Sequence, residues 1–332
     1  MTDLAARRTS AVSPRTGLAA GFAVLLILAL TSLFVGVTHV SPLDILTGRA
    51  TPDQWQSLVV SRVPRTLAAL LAGSALAMAG LLMQLLVRNR FVEPATVGTT
   101  ESAALGLLLV TLLWPAAPLW AKMSIATLVA LLGTMLFLAL VRSIPPRSSV
   151  VVVPLVGMML AGVISAVTTW IAYRYDLLQT LGAWLAGDFS GVLRGRYELL
   201  WLVAVVAVAV WVFADRFTVA SLGESHATSL GLNYGRVLLA GLALVAVASA
   251  TSLVVVGALP FLGLVVPNIV SLVAGDHLRR SLPWVGIGGA AFVLACDLVA
   301  RTIAYPYEVP VGTIVAVLGA AVFLWLLTRR TM

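Results

Sequence analysis

Residues 62 to 106 read RVPRTLAALLAGSALAMAGLLMQLLVRNRFVEPATVGTTESAALG. From Thr66 to Val87 no residue carries a charge, and a helix crossing a hydrocarbon core of roughly 30 Å needs about 20 apolar residues. This stretch therefore reads as a membrane span. Its centre, AGSALAMAG from Ala72 to Gly80, is built from small residues, which let helices approach closely where apolar burial alone gives no net drive. A polar turn through Arg88, Asn89 and Arg90 leads into a second apolar run that carries Glu101. A carboxylate near the middle of a span costs about 2.5 to 3.5 kcal/mol on insertion scales unless it is paired or faces water.

The rest of the chain repeats this pattern. Of 332 residues, 61% are hydrophobic and only 10% charged, too few polar groups to cover a soluble globule. Apolar runs lie near 17 to 38, 66 to 87, 95 to 114, 119 to 141, 151 to 173, 197 to 214, 237 to 256, 258 to 275, 284 to 303 and 312 to 328. The expectation is an all-α integral membrane protein of about ten transmembrane helices, a single domain over residues 1 to 332. Arg7, Arg8 and Arg15 precede the first run and imitate a secretory signal, but the run is long for one and more spans follow, so it reads as an uncleaved first helix. With both termini inside, thirteen Lys and Arg fall on the inner side and eight on the outer, the balance the positive-inside rule favours.

The net charge of +8 is spread over the ends of apolar runs rather than gathered in a stripe, which points to lipid headgroups and away from nucleic acid. Cys296 is the single cysteine, and His39, His226 and His277 are scattered, so no metal site is expected. Pro154, Pro260 and Pro267 each remove a backbone donor in or beside a span. In lipid that is tolerable only where protein or water satisfies the carbonyl left over. Broken helices around a cavity and ordinary kinks are equally compatible with these prolines. LLQTLGAWLAG, inside the polar stretch from Arg174 to Arg196, suits a short interfacial helix.

One polar insertion interrupts the apolar sequence, DRFTVASLGESHATSLGLNYGR from Asp215 to Arg236. Gly223 and Gly231 permit tight turns, and its Ala and Leu residues offer an apolar face for a groove. Two short helices forming a docking surface, or a solvated loop, are the readings open to it. No GxxxxGK[ST] occurs in the chain, so the phosphate cradle needed to hydrolyse ATP is lacking and an enzyme is not expected.

Four ordered blocks carry a likeness. Arg62, Pro64, Arg65, Gly73, Gly80, Gln84, Asn89, Pro94, Gly98 and Gly106 occur in the order typical of the FecCD family, the permeases of iron-siderophore, haem and cobalamin ABC importers. LGESHATSLGL from Leu222, GALPFLGLVVPNIVSLVAGDHLRR from Gly257 and DLVARTIAYPYEVPVG from Asp297 agree as well. The chain resembles this family over nearly its whole length. It departs at Arg90, where a Pro is usual, at Phe91 for a Leu, at Glu101 within TTES for a Gly-rich segment, and at Asn268 for a frequent His. NRFVEPATVGTTES is similar to a subgroup associated with catecholate-type siderophores, whose permeases often pair with a related second permease.

The resemblance implies a type II ABC importer permease fold in the cytoplasmic (inner) membrane, with no cofactor on this chain. ATP and Mg would be held by a separate ABC ATP-binding subunit. Leu222, Gly223, Glu224, Ser225, His226, Ala227, Leu230 and Gly231 would contact that subunit from the inner face. Arg62, Arg65 and Arg301 would dock a periplasmic or lipid-anchored substrate-binding protein, guanidinium being permanently charged and able to grip carboxylate in bidentate fashion. Headgroup anchoring is the rival reading for the first two, and an ion pair with Asp297, four residues earlier on the same helix face, for Arg301. Asn89 and Phe91 fall where the family places its inner gate, with a second gate element near Val150 and Val151, and Glu101 would line or seal the pathway. A second permease subunit, self or paralogue, would complete it.

The function expected is import of a ferric siderophore, with haem or cobalamin as alternatives. A proton-coupled secondary transporter using Glu101 and Asp297 is a rival of another class. An intramembrane enzyme is disfavoured by the absence of HExxH and of clustered His.

Overall fold

The computed structural model describes residues 14 to 36, 40 to 144, 152 to 195, 197 to 275 and 277 to 330. Val150 and Val151, along with Arg7, Arg8, His39, Arg147 and Arg196, lie outside the described residues. Fifteen α-helices follow one another, with no strand among the described residues. They are α1 (Pro14–Phe34), α2 (Pro42–Leu46), α3 (Pro52–Ser57), α4 (Val63–Val87), α5 (Thr99–Leu113), α6 (Leu119–Arg142), α7 (Val152–Arg174) and α8 (Leu178–Ala186). Then come α9 (Trp201–Val212), α10 (Ala214–Ser221), α11 (Glu224–Ser229), α12 (Tyr234–Val256), α13 (Leu262–Ala274), α14 (Leu278–Thr302) and α15 (Val311–Arg330). A π-helical turn, Leu58–Arg62, leads into α4.

Among the described residues six helical stretches are long and apolar enough to cross a membrane, and the pair formed by Tyr197–Val212 and Ala214–Ser221, bent by 62°, brings the number to seven when counted as one span. The runs expected at 95 to 114 and 258 to 275 are not continuous spans. Their helices α5 and α13 have 15 and 13 residues, about 22 and 20 Å long. Each is preceded by chain outside any α-helix, 88 to 98 with a 3-10 turn at Ala95–Val97 and 257 to 261, most of it buried or half-buried. Non-helical backbone at membrane depth is tolerated only when enclosed by protein or lining a polar cavity.

α4 is the centre of the bundle, packed against α9, α12, α13 and α14. The small residues from Ala72 to Gly80 make this possible. A Cβ on Gly73 would lie 2.6 Å from the Gly289 carbonyl oxygen of α14, and one on Gly80 would collide with the Gly263 backbone of α13. Glycine on both sides of each crossing brings backbone onto backbone, so packing rather than hydrophobic transfer holds the seam. α1 sits at the other extreme, with 6% of its apolar window buried against 72% for α12. Phe22, Ile27 and Leu30 of α1 are exposed, the pattern of a helix facing lipid tails.

The prolines reveal how the bundle accounts for backbone groups. Pro64 cannot donate to the Val60 carbonyl four residues earlier, and that oxygen instead accepts from the Arg194 amide at 3.0 Å. Pro267 likewise leaves the Gly263 carbonyl of α13, which accepts from the Gln84 side-chain amide at 3.2 Å. Both carbonyls are satisfied by distant protein, as lipid requires. Pro154 falls in the first turn of α7 and Pro260 in the break between α12 and α13, so the first is compatible with a straight helix and the second marks a true interruption. LQTLGAWLA forms α8 as expected.

Candidate functional site

At the Arg65 end of α4 three guanidiniums are buried, two of which, Arg62 and Arg301, reach the end of α1. Arg65 donates from Nε and Nη2 to Asp297 Oδ1 at 2.9 and 2.8 Å, and from Nη1 to Glu308 Oε2 at 2.5 Å. Arg301 Nη2 donates to Asp297 Oδ2 and, at 3.0 Å, to Ser32 Oγ, while its Nη1 reaches the Ser32 and Val35 carbonyls at 3.0 and 3.1 Å. Arg62 Nη1 donates to the Leu33 carbonyl at 2.9 Å. The last carbonyls of a helix lack intrahelical donors and carry partial negative charge, so Arg62 and Arg301 complete the C-terminus of the poorly buried α1. Ser32 Oγ and Thr66 Oγ1, 2.9 Å apart, add a second tie between α1 and α4.

Arg62, Arg65 and Arg301 are 4%, 6% and 4% exposed, and Asp297 is fully buried. Their guanidiniums are turned into the chain and engaged there by carboxylates and by the last carbonyls of α1. Of the two readings open for Arg301, the ion pair with Asp297 is present. Asp297 is shared by Arg65 and Arg301, and Glu308 answers Arg65 a second time. Sequence reasoning missed both partners of Arg65, Asp297 and Glu308, 232 and 243 residues away.

The opposite end of α4 closes on a left-handed Arg88 (φ 54°). Asn89 is buried, its Oδ1 accepting from the Phe91 amide at 2.9 Å, and the Phe91 ring packs edge to face on Phe323 of α15 with centroids 6.1 Å apart. Phe91 is thus half of an aromatic pair. Asn268, where a His is frequent, donates to the Arg90 carbonyl at 2.9 Å and to that of Leu264 at 2.7 Å. Glu93 reaches across to the start of α13, accepting from the Phe261 amide at 2.9 Å, and caps a helix N-terminus where negative charge is favourable. Gln84, Asn268 and Glu93 therefore clasp the two non-helical breaks together. A cavity of about 270 Å³ opens here, lined by Gln84, Arg88, Asn89, Asn268 and Ser221 among others.

Ser221 ends α10, which brings the polar insertion to this same end. α10 buries Ala214, Phe217 and Ala220, and an exposed pair between Asp215 and Arg279 at 2.7 Å joins it to α14. Gly223 follows with φ 104°, a conformation that side chains rarely adopt, and a Cβ there would meet Arg88 Nη1 at 3.0 Å. α11 then runs from Glu224 to Ser229 and stops at Gly231 (φ 79°). Ala227 is its buried anchor, whereas Glu224, Ser225 and His226 are exposed. Leu222 and Leu230, 54% and 68% exposed, flank it. Two short helices are present as expected, with an apolar residue at each side of a polar knob.

Glu101 lies in the first turn of α5. The neighbouring hydroxyls of Thr99 and Ser102 bond elsewhere: Thr99 Oγ1 lies 2.7 Å from Thr134 Oγ1, and Ser102 Oγ donates to the Gly98 carbonyl at 2.6 Å. Glu101 Oε2 is buried and meets no hydrogen-bond partner among the described residues. It lines a cavity of about 90 Å³ together with Glu93, Ser249 and Ser252. No group of three or more His, Cys, Asp or Glu gathers as for a metal ion among the described residues.

A family model described as the FecCD transport family matches residues 24 to 329. The petrobactin import system permease protein FatD of Bacillus anthracis is 46% identical over 307 residues, which cover 92% of this chain and 89% of that protein. The ferric-anguibactin transport system permease protein FatD of Vibrio anguillarum is 38% identical over 304 residues, covering 91% and 95%. A solved structure of a chain assigned to metal-chelate type ABC transport, in an inward-facing conformation, superposes with a TM-score of 0.80 at 25% identity, over 95% of this chain and 99% of that one. With its α4 seam, its two clasped breaks and its paired short helices aligned within a match of this extent, the chain belongs to the FecCD transport family.

Proposed function

We propose that this chain is the permease subunit of an importer that carries a ferric siderophore across the cytoplasmic membrane, driven by ATP and Mg chemistry in a separate ATP-binding subunit. The observation that carries the reading is the α10 and α11 knob, an exposed polar helix pair with Leu222 and Leu230 at its sides, in a chain of this family. The siderophore class is supported by relatives named for petrobactin and anguibactin transport, ahead of haem or cobalamin.

In this reading the seven long spans are joined by α5, α13 and α15 to make ten crossings, with both termini inside. The knob faces the ATP-binding subunit, and the Arg65 end faces a substrate-binding protein. Docking there would have an incoming carboxylate compete with Asp297 and Glu308 for the guanidiniums of Arg65 and Arg301. A second permease subunit completes the path, with Asn89 and Phe91 near its inner gate and Glu101 along its wall. Coupling then lies in the different affinities of the partners for inward-facing and outward-facing states. Arg88, packed beside Gly223 at the end of the central helix, provides a direct mechanical joint from knob to core.

Gly223→Val tests it. A β-branched residue at φ 104° is strained by about 1 to 2 kcal/mol and crowds Arg88. Pull-down of the complex should show ATP-binding subunit lost about tenfold or more, with substrate-binding protein still bound. Loss of the binding protein and retention of the ATP-binding subunit would count against the assignment.

A further inference from the structure

The cavity beside Glu101 has a composition that closure of a transport path does not require. Most hydroxyls inside the helices donate to their own backbone: Thr111 to Leu107, Thr134 to Ala130 and Thr168 to Ile164, each at 2.7 Å. Ser249 and Ser252 of α12 make no such bond. They are 3% and 1% exposed, their hydroxyls meet no partner among the described residues, and both line the cavity with Glu101. Three residues apart, they share one helix face. An unpaired buried hydroxyl costs about 1 to 3 kcal/mol, so two of them beside a carboxylate oxygen with no partner mark a place built for something that binds oxygen.

Charge narrows the class. Glu93 also lines the cavity, but its carboxylate is held by the Phe261 amide at the start of α13, and an N-terminal dipole compensates its charge. Glu101 also lies in the first turn of its helix, but its Oε2 is buried with no donor among the described residues, and a cation is a partner that would satisfy it together with the two hydroxyls. The break after α12 adds backbone to the wall at Gly257 and Leu259, and interrupted helices at membrane depth supply carbonyls that suit cations. A volume of about 90 Å³ exceeds what a lone proton on Glu101 would occupy. At about 30 Å³ per water, it fits one small ion with one or two waters.

We infer that this cavity is a monovalent alkali cation site, in which the Glu101 carboxylate and the Ser249 and Ser252 hydroxyls bind a sodium or potassium ion. Hard oxygen donors suit such an ion. Binding ties α5 to α12 and so stabilises the fold by mass action. The inference stands apart from the importer reading, because it is read on the purified chain without ATP or partners.

Thermal unfolding of the full-length chain in detergent would be compared in sodium, potassium and choline chloride at equal ionic strength. Sodium or potassium should raise the midpoint by about 3 °C or more over choline. Glu101→Gln, which keeps the shape and removes the charge, should abolish the difference, and Ser249→Ala with Ser252→Ala should at least halve it. The serine variant loses only two oxygens and carries the test if Glu101→Gln fails to fold. Equal midpoints in all three salts, or a difference that survives both variants, would overturn the site and leave a cavity that holds water or a proton alone.

Discussion

Asp297→Ala should destabilise the chain by about 3 to 5 kcal/mol, the scale for leaving buried charge uncompensated. Asp297 is the only carboxylate that contacts both Arg65 and Arg301 among the described residues. Removing it strands two nearly buried guanidiniums, and Glu308 can answer only one of them. The loss would not stay local. Arg301 also holds the Ser32 and Val35 carbonyls, so α1, which buries little of its own surface, should detach with it. The midpoint for loss of the folded species on heating should fall sharply for Asp297→Ala and less for Asp297→Asn, which keeps an acceptor but not the charge. Combining Asp297→Leu with Arg65→Met and Arg301→Met should recover part of the loss, since a whole buried ionic group replaced by apolar side chains is often tolerated. An Asp297→Ala chain as stable as the parent would mean that the cluster is not what holds α1.

Gly80→Val should be nearly as damaging. The atoms it would meet belong to the Gly263 backbone of α13, not to the end of a flexible side chain. Relief must come from moving a helix, and overpacking of this kind costs typically about 1 to 3 kcal/mol and occasionally more. Here the movement would also part Gln84 from the Gly263 carbonyl left over by Pro267, and Glu93 from the Phe261 amide. Each polar group so exposed within the bundle adds its own penalty. Gly286→Ala is the control, for a Cβ there meets nothing closer than Met78 at 3.8 Å. Folded yield and heating midpoint should drop for Gly80→Val and hold for Gly286→Ala; equal behaviour of the two would refute the seam.

Much of this architecture was legible in the sequence. The apolar runs located the helices, the small residues from Ala72 to Gly80 announced the close crossing, and the polar insertion yielded its two short helices. The two breaks were not legible, because a buried apolar stretch such as 257 to 261 has the same composition whether it is helical or not. Nor was the inward turn of the arginines. Arg65 finds Asp297 and Glu308 across 232 and 243 residues, and no local period encodes such a pairing. Asp297 with Arg301, four residues apart, was readable for the opposite reason. Glu93 has its partner, the Phe261 amide, 168 residues away, and Ser249 and Ser252 are hidden in an apolar run where a hydroxyl ordinarily bonds its own helix.

The arginine cluster and the knob at opposite ends of α4 suit a subunit that relays between two partners. Their separation follows from the length of that helix, 25 residues or about 37 Å. A secondary transporter has no need of the knob, and Glu101 would then be its working acid.

Uptake into vesicles decides between them. The chain would be reconstituted with an ATP-binding subunit, a second permease and a substrate-binding protein, and a panel of iron-55 ferric siderophores supplied on the binding-protein face. Iron should accumulate only with ATP inside reach of the ATP-binding subunit and binding protein on the opposite face, and should be indifferent to a collapsed proton gradient. Accumulation that follows a proton gradient in vesicles holding this chain alone, without ATP, would contradict the permease assignment.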